Sequence, residues 1–217
     1  MHIVAILPCR GRKEQTLECV RRLLFTAGIP HGESWKMVLV GGKEDADIVE
    51  SVAAETGVYG LVEGEAHLTY WLALSRATEE YPATHYICLA NDLLPVVHWL
   101  AKAVKKMNHS FPDQNCVIGF NGDGHDEPHS CHFMISKSML DTLGGWPVWY
   151  SHNFGDTEIC CRANEMGRYA KAAYAILFHN HPWISAQKDD SIYEQGRRNF
   201  ITDEMLFLAR RNAKWIS

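Results

Sequence analysis

The feature that most constrains this chain is its opening stretch, Ile3-Val4-Ala5-Ile6-Leu7, which contains no polar side chain and stops at Pro8. Successive residues of a strand point to opposite faces, so a strand without a polar position must be covered on both sides. A parallel sheet between two helical layers provides that cover. The next hundred residues keep to the same plan. Leu17, Val20, Leu23 and Leu24 recur at helical spacing until Gly28 and Pro30, and Met37 to Val40 is a second apolar run ended by Gly41-Gly42. Ile48, Val49, Val52 and Ala53 predict a second helix stopped at Gly57, and Val58 to Val62 a weaker third strand. Leu68, Trp71, Leu72 and Ser75 predict a third helix. His85 to Ala90 predicts a fourth strand that runs straight into Asn91-Asp92, and Val97, Leu100, Ala101 and Val104 predict the helix after it. Regular alternation of this kind implies a three-layer α/β fold, in which ligands bind at the carboxyl ends of the strands.

The second half is less regular. Asn121 to Ser130 is rich in Gly, Asp and His and reads as a long loop. A strand is expected over Cys131 to Ile135, a helix over Ser136 to Leu143, and a turn at Gly144-Gly145-Trp146-Pro147. A helix from Asp156 to Met166 closes at Gly167, and a strand from Ala172 to Phe178 runs into His179-Asn180-His181-Pro182. A polar loop and a last helix near Ile201 to Arg211 complete the chain. Without a repeat or a linker, residues 1–217 read as one domain.

Composition removes several classes of function. Lys and Arg number 21 against 26 Asp and Glu, a net charge of −5, so no strong basic field draws nucleic acid non-specifically. The seven cysteines are odd in number and contain no Cys-x-x-Cys, which fits neither a disulfide framework nor a zinc ribbon. They read as packing residues in a reducing interior. No apolar stretch is long enough for a membrane span or a secretory core, so a cytoplasmic, soluble protein is expected. Neither G-x-x-x-x-G-K-[ST] nor G-x-G-x-x-G opens the first helix, which removes the usual NTPase and dinucleotide signatures.

Four constellations could carry chemistry. Asp92 follows a buried strand and suits a hard divalent cation, or else caps the next helix. His179 and His181 could each ligate a metal, but a spacing of two turns them to opposite faces if the strand continues. Asp156 is placed either as a helix N-cap or as a general base. Glu158 and Arg162, four apart, would pair along that helix. Arg10 and Arg12, in the loop after the first strand, could grip phosphates. The loop residues His125, Asp126, Glu127, His129 and His132 match no known ligand spacing and read as solvated.

From Ile3 to Pro182 these pieces resemble the glycosyltransferases of the GT-A fold, family 2 in particular. Leu7-Pro8-Cys9-Arg10-Gly11-Arg12 is similar to the first strand and nucleotide loop, and Tyr86 to Asp92 to the strand ending in the DxD motif. Phe133 to Trp146 resembles the acceptor-side segment, Phe154 to Gly167 the Glu-Asp helix, and Phe178 to His181 the stretch carrying a late metal-binding histidine. The resemblance implies a Rossmann-like sandwich with a mixed, mostly parallel sheet. Residues 1–95 would form the nucleotide-sugar half, 96–182 the acceptor half, and 183–217 a lid and final helix. It implies a nucleotide diphosphate sugar as donor, a UDP-sugar above all, contacted by Pro8, Arg10, Arg12, Asn91 and Asp92. Mn²⁺ or Mg²⁺ would be held by Asp92 with His179 or His181. Asp156 would be the base of an inverting transfer to a glycan, a small molecule or a hydroxylated DNA base.

The sequence departs from the pattern at Ala90-Asn91-Asp92, which keeps only the last acid of DxD. It departs again at Gly41-Gly42, where an acid often contacts the nucleotide base, and at Gly155, the first position of the Glu-Asp pair. Gln195 to Asn199 falls one residue short of a Gln-x-x-Arg-Trp signature, and Lys188 to Tyr193 is placed to act as a lid. A nucleotidyltransferase of related fold and a non-catalytic nucleotide-sugar-binding module are the competing expectations.

Overall fold

A computed structural model of the protein describes residues 1–29, 32–182, 185 and 190–215, with only the backbone of Gln195. The parallel half contains β1 (His2–Pro8), α1 (Lys13–Thr26), β2 (Ser34–Gly41), α2 (Ala46–Thr56), β3 (Tyr59–Val62), α3 (Tyr70–Glu80) and β4 (His85–Cys88). The other half contains β5 (Leu93–Pro95), α4 (Trp99–Ser110), β6 (Val117–Asn121), β7 (Phe133–Ser136), α5 (Lys137–Thr142), α6 (Gly155–Glu165), β8 (Tyr169–His179), α7 (Ser191–Arg198) and α8 (Phe200–Asn212). The eight strands form one mixed sheet in the order β3-β2-β1-β4-β7-β6-β8-β5. Strands β1 to β4 pair in parallel, whereas β7 is antiparallel to both its neighbours.

Alternation along the apolar strands builds the two faces. Ile3, Ala5 and Leu7 pack with Val20 and Leu23 of α1, Val49 of α2 and Trp99 of α4. Val4 and Ile6 point the other way and pack with Trp71 of α3, Leu140 of α5, Ile159 of α6 and Phe207 of α8. This is the three-layer α/β arrangement with a mixed, mostly parallel sheet that the sequence predicts. Among the described residues no helix is long and apolar enough to cross a membrane.

Several expectations need correction. The fourth strand ends at Cys88, so Leu89 and Ala90 belong to the loop that leads to Asp92. Asp92 does not cap the next helix, because β5 intervenes and His98 occupies the cap of α4. Asp156 is not an N-cap either. Phe154, with φ of 67°, fills that place without a side-chain cap, and Asp156 lies within the first turn of α6. The strands β5 and β6 and the helix α7 are not marked by the sequence pattern. Helix α7 occupies what reads as polar loop, and its N-cap is Asp190, whose carboxylate accepts the Ile192 and Tyr193 amides. Of the expected lid over Lys188 to Tyr193, Lys188 and Asp189 lie outside the described residues.

One irregularity in β8 matters for the site. Its pairing with β6 jumps from Phe120↔Ala172 to Asn121↔Ile176. Extra residues on one strand bend it and re-aim the residues beyond. Past this bulge, β8 pairs antiparallel with β5, so that His179 faces Leu93 across the ladder.

Candidate active site

A cavity of about 750 Å³ opens at the carboxyl ends of β1 and β4, and its lining includes Pro8, Arg10, Arg12, Asn91, Asp92, Asp156, His179 and His181. Every residue to which the resemblance gives a donor, metal or base role therefore meets in one place. They arrive from three directions: the β1 and β4 loops, the end of β8, and the first turn of α6.

Asp92 is the most constrained of them, being only 6% exposed. The register that sets His179 opposite Leu93 brings Nε2 of that imidazole to 3.4 Å from Asp92 Oδ1, an ion-pair contact too long for a strong hydrogen bond. The amide of Asn180 donates to the Asp92 carbonyl at 2.9 Å and extends the ladder by one bond. The Tyr193 hydroxyl of α7 donates to Asp92 Oδ2 at 2.9 Å. Burial alone would raise the Asp92 pKa, but the His179 contact, with further help from His132 and Tyr193, holds it well below the usual carboxylate range. Burial likewise works against His179 protonation, and Asp92 overcomes it and raises the His179 pKa. His181 is pushed down to about 4 by burial and then by the neighbouring His179. The strand ends at His179, so the two rings are not forced to opposite faces. Their centroids lie 5.2 Å apart, and His181 also packs against Tyr193 at 4.6 Å.

These groups fit a divalent cation. Among the described residues, Asp92 Oδ1, His179 Nδ1 and both ring nitrogens of His132 are buried without a hydrogen-bond partner. Unsatisfied polar atoms are costly and therefore uncommon in a folded interior. One carboxylate with two imidazoles is a mixed oxygen and nitrogen donor set of the kind that holds a divalent first-row metal ion. His132, expected in a solvated loop, is instead buried with its ring 4.8 Å from that of His179.

The phosphate-side residues differ in their engagement. Arg12 forms a two-pronged pair with Asp190, at 2.6 and 2.5 Å, and its guanidinium stacks 3.8 Å from the Tyr193 ring. Arg10 makes no hydrogen bond or ion pair among the described residues. The Asn91 amide donates to Thr16 Oγ1 of α1 at 3.0 Å, which fixes the loop beside Asp92. The Gly11 amide donates to the buried Asp45 at 2.8 Å, tying the first loop to the start of α2.

On the opposite wall, Asp156 Oδ1 accepts the Thr157 amide at 2.8 Å, and Oδ2 lies 3.7 Å from His129 Nε2. Glu158 has a different role. It is fully buried, accepts from the Tyr150 hydroxyl at 2.8 Å, and pairs with Arg210 at 2.9 and 3.0 Å and with Arg162 at 3.1 Å. Burial tends to raise its pKa, but Arg210 and Tyr150 lower it on balance. The expected Glu158–Arg162 pair is present and is the smaller part of a network centred on Glu158, whose main partner is Arg210 of α8.

Two departures from the motif have a steric cause. A Cβ at residue 155 would fall 2.3 Å from the Trp71 indole, so Trp71 occupies the space that a longer side chain would need. At residue 42 a Cβ would fall 2.5 Å from the Ala66 carbonyl, because the chain before α3 lies directly on that backbone.

Sequence reasoning missed three participants. Asp203 of α8, buried, accepts the amides of Ser151, His152 and Asn153 at 3.0, 2.9 and 2.8 Å, and so shapes the loop that leads into α6. Tyr193 covers Asp92. Cys131, which reads as a packing residue, lines the cavity, and burial followed by the Asp156 charge pushes its thiol well above the ordinary value. Asp203 and Tyr193 carry no local signal, since each acts on residues far from it in the chain.

No protein-family model matches the sequence, and no curated protein matches it either. Solved structures do match in shape. The mannosyltransferase PcManGT from Pyrobaculum calidifontis, solved with GDP-Man and Mn²⁺, superposes with a TM-score of 0.65 at 16% identity over 81% of this chain and 55% of that one. S. aureus TarS 1-349 in complex with UDP gives 0.63 at 13% identity, covering 82% and 59% of the two chains. A mutant Drosophila beta-1,4-galactosyltransferase 7 with manganese, UDP-Gal and xylobiose gives 0.57 at 12%, covering 90% and 79%. The chain thus spans little more than half the length of the first two. It has the GT-A glycosyltransferase fold.

Proposed function

We propose that this chain is a metal-dependent, inverting glycosyltransferase that moves a sugar from a nucleotide diphosphate sugar, a UDP-sugar above all, to an acceptor hydroxyl. The observation that carries this reading is the cavity shared by Asp92 and Asp156. One carboxylate is buried, ionised and has an oxygen without a hydrogen bond; the other sits across the cavity on the first turn of a helix. The GT-A neighbours solved with nucleotide sugars and Mn²⁺ support it.

In this scheme Arg10 takes the donor phosphates, since it faces the cavity without a protein partner among the described residues and a guanidinium matches phosphate oxygens bidentately. Arg12 joins it when Asp190 releases it. Asp92, His179 and His181 would hold Mn²⁺ or Mg²⁺, which supplies charge neutralisation for the leaving diphosphate. Asp156 accepts the proton of the acceptor hydroxyl at Oδ2, because Oδ1 is already bound to the Thr157 amide. Glu158 cannot share that task, since both its oxygens are committed to arginines and Tyr150. Among the described residues that line the cavity, Asp156 is the one carboxylate on the acceptor side, which favours direct displacement, hence inversion.

Thermal unfolding with UDP, GDP, CDP and TDP, each with and without Mn²⁺, tests the donor site. One nucleotide is expected to raise the midpoint only when Mn²⁺ is present. At about 100 times its dissociation constant it stabilises by roughly 2.7 kcal/mol, or about 5–10 °C for a domain of this size. No shift with any nucleotide at millimolar concentration would overturn the reading. Asp156→Asn should keep the shift and lose about 10²–10⁴ in kcat, the usual contribution of a general base. Release of pyrophosphate in place of a nucleoside diphosphate would point to a nucleotidyltransferase.

A further inference from the structure

We propose that His125, His129 and Cys131 form a second metal site in the acceptor-side wall, of the thiolate–imidazole kind that selects Zn²⁺, with the Asp156 carboxylate as its fourth ligand. The site is separate from the oxygen- and imidazole-lined position at Asp92, and it would take a softer ion.

Three observations support it. The first is ligand chemistry and spacing. One donor atom from each of His125, His129 and Cys131 lies within 4.8 Å of the others. Cys131 Sγ is 3.7 Å from His129 Nε2, and the same nitrogen is 3.7 Å from Asp156 Oδ2. With Zn–S near 2.3 Å and Zn–N near 2.0–2.1 Å, ligand atoms around a tetrahedral Zn²⁺ stand about 3.3–3.6 Å apart. Two of the contacts are already close to that spacing, and the exposed His125 needs only a side-chain adjustment to complete the set. The second is orientation. His129 Nδ1 lies 2.9 Å from Thr157 Oγ1, which leaves Nε2 facing Cys131 and Asp156. A ligating histidine commonly has its other nitrogen held in this manner.

The third is that the loop is built to hold these side chains together. Lys171 of β8 donates to the carbonyls of His125 and His129 at 2.6 and 3.2 Å and pairs with Asp123 at 3.2 Å. Asp123 in turn accepts the Cys131 amide at 2.8 Å and the His125 amide at 3.2 Å. Both members of the Lys171–Asp123 pair are more than nine-tenths buried as side chains. An ion pair placed inside a loop fixes the path of residues 123–131 and brings two histidines and a cysteine to the same wall. The charges also balance. A thiolate and a carboxylate neutralise a dication, with two neutral imidazoles completing the shell. The thiol proton is released to solvent on binding.

If Asp156 is the base of the transfer, an ion held here removes that base and inhibits the enzyme. This consequence rests on the proposed function; the metal site does not. Co²⁺ titration separates the two. The reduced protein, freed of metal by a chelator and then given saturating Mg²⁺ to compete for the position at Asp92, is titrated with Co²⁺. A thiolate-to-cobalt charge-transfer band in the near ultraviolet is expected, saturating at one equivalent and abolished by one equivalent of Zn²⁺. Cys131→Ser should lose the band. His125→Gln, on an exposed loop whose side chain supports no core packing, should keep the band and weaken Co²⁺ affinity at least tenfold. Absence of the band in the unaltered protein, its survival in Cys131→Ser, or an unchanged affinity in His125→Gln would each overturn the site. Zn²⁺ binding without loss of transfer would leave the metal site standing and overturn Asp156 as its fourth ligand or as the base. Weaker Co²⁺ binding in Asp156→Asn assigns the fault to the base, and unchanged binding assigns it to the ligand.

Discussion

In the parallel half, Pro8, Arg10 and Asp92 reach the cavity because β1 and β4 end there, and the backbone ladders that align those strands also align the loops. In the other half, Asp156 and His179 reach the same cavity by different means. A bulge re-aims β8, and side chains from the last quarter of the chain hold the rest: Asp203 on residues 151–153, Arg210 on Glu158, Tyr193 on Asp92. One wall is set by topology and the other by long-range polar clamps. C-terminal substitutions far from the cavity should therefore damage the acceptor wall while leaving the nucleotide wall intact.

Glu158→Ala tests this division most severely. Removing a fully buried carboxylate strands Arg210 and Arg162 and should cost about 3–5 kcal/mol, lowering the melting midpoint by roughly 10 °C. The nucleotide-dependent shift should survive. A large fall in kcat with an unchanged midpoint would instead make Glu158 a participant in the chemistry. The sign with pH is fixed by the lowered Glu158 pKa. Its contribution is present above the unfolded value of about 4.3 and lost as pH falls through the lower folded value. The stability gap between wild type and variant should therefore begin to narrow as pH falls below the unfolded value.

Asp203→Asn is the next largest. The amide keeps one carbonyl oxygen where the carboxylate used two to accept three backbone N–H groups. At least one part-buried backbone N–H loses its charged acceptor, a cost of about 1.5–3 kcal/mol. Because these amides shape the loop before α6, transfer should fall about tenfold, as misplacement of a catalytic group does, while nucleotide binding stays constant. Equal losses in both would mean that the two walls are not held independently.

The His179–Asp92 pair offers a comparison across the two walls. The raised His179 pKa means that the stability it contributes is complete below the unfolded value of about 6.5 and is lost as pH rises through the higher folded value. Asp92, being lowered, stays ionised throughout that window. The ligand-free midpoint should therefore decline above neutral pH. The Mn²⁺-dependent nucleotide shift should grow over the same interval, since a metal needs the neutral imidazole. A ligand-free midpoint that rises above pH 7 would contradict the pair.

The same division explains what could be seen in the sequence. The first strands, the Asn91-Asp92 loop and the helix carrying Asp156 were legible because apolar periodicity and chain punctuation are local signals. Strand β5 was not, because its three residues gain their identity only by pairing with the far end of β8. Helix α7 was hidden by its polarity, since only Ile192 and Tyr193 give it apolar bulk. Gly42 and Gly155 stand out in the sequence as motif departures, and their cause, the Ala66 carbonyl and the Trp71 indole, exists only in three dimensions. Asp203 had no motif at all, since a carboxylate that gathers backbone amides needs no fixed spacing from them.

The smallest expected effect belongs to Tyr193→Phe, and it probes a clamp that, like Asp190 on Arg12, crosses to the nucleotide wall. The Tyr193 hydroxyl occupies Asp92 Oδ2, an oxygen that a cation would also need. A hydrogen bond of this type contributes about 1 kcal/mol. Its removal should cost a few degrees in the ligand-free protein and tighten Mn²⁺-dependent nucleotide binding about fivefold, because less has to be broken when the metal enters. The aromatic ring remains in the variant, so its stacking on Arg12 is kept and the change reports on the hydroxyl alone. If binding weakens instead, the hydroxyl belongs to the donor site, and α7 is part of the nucleotide wall and not a cover that competes with it.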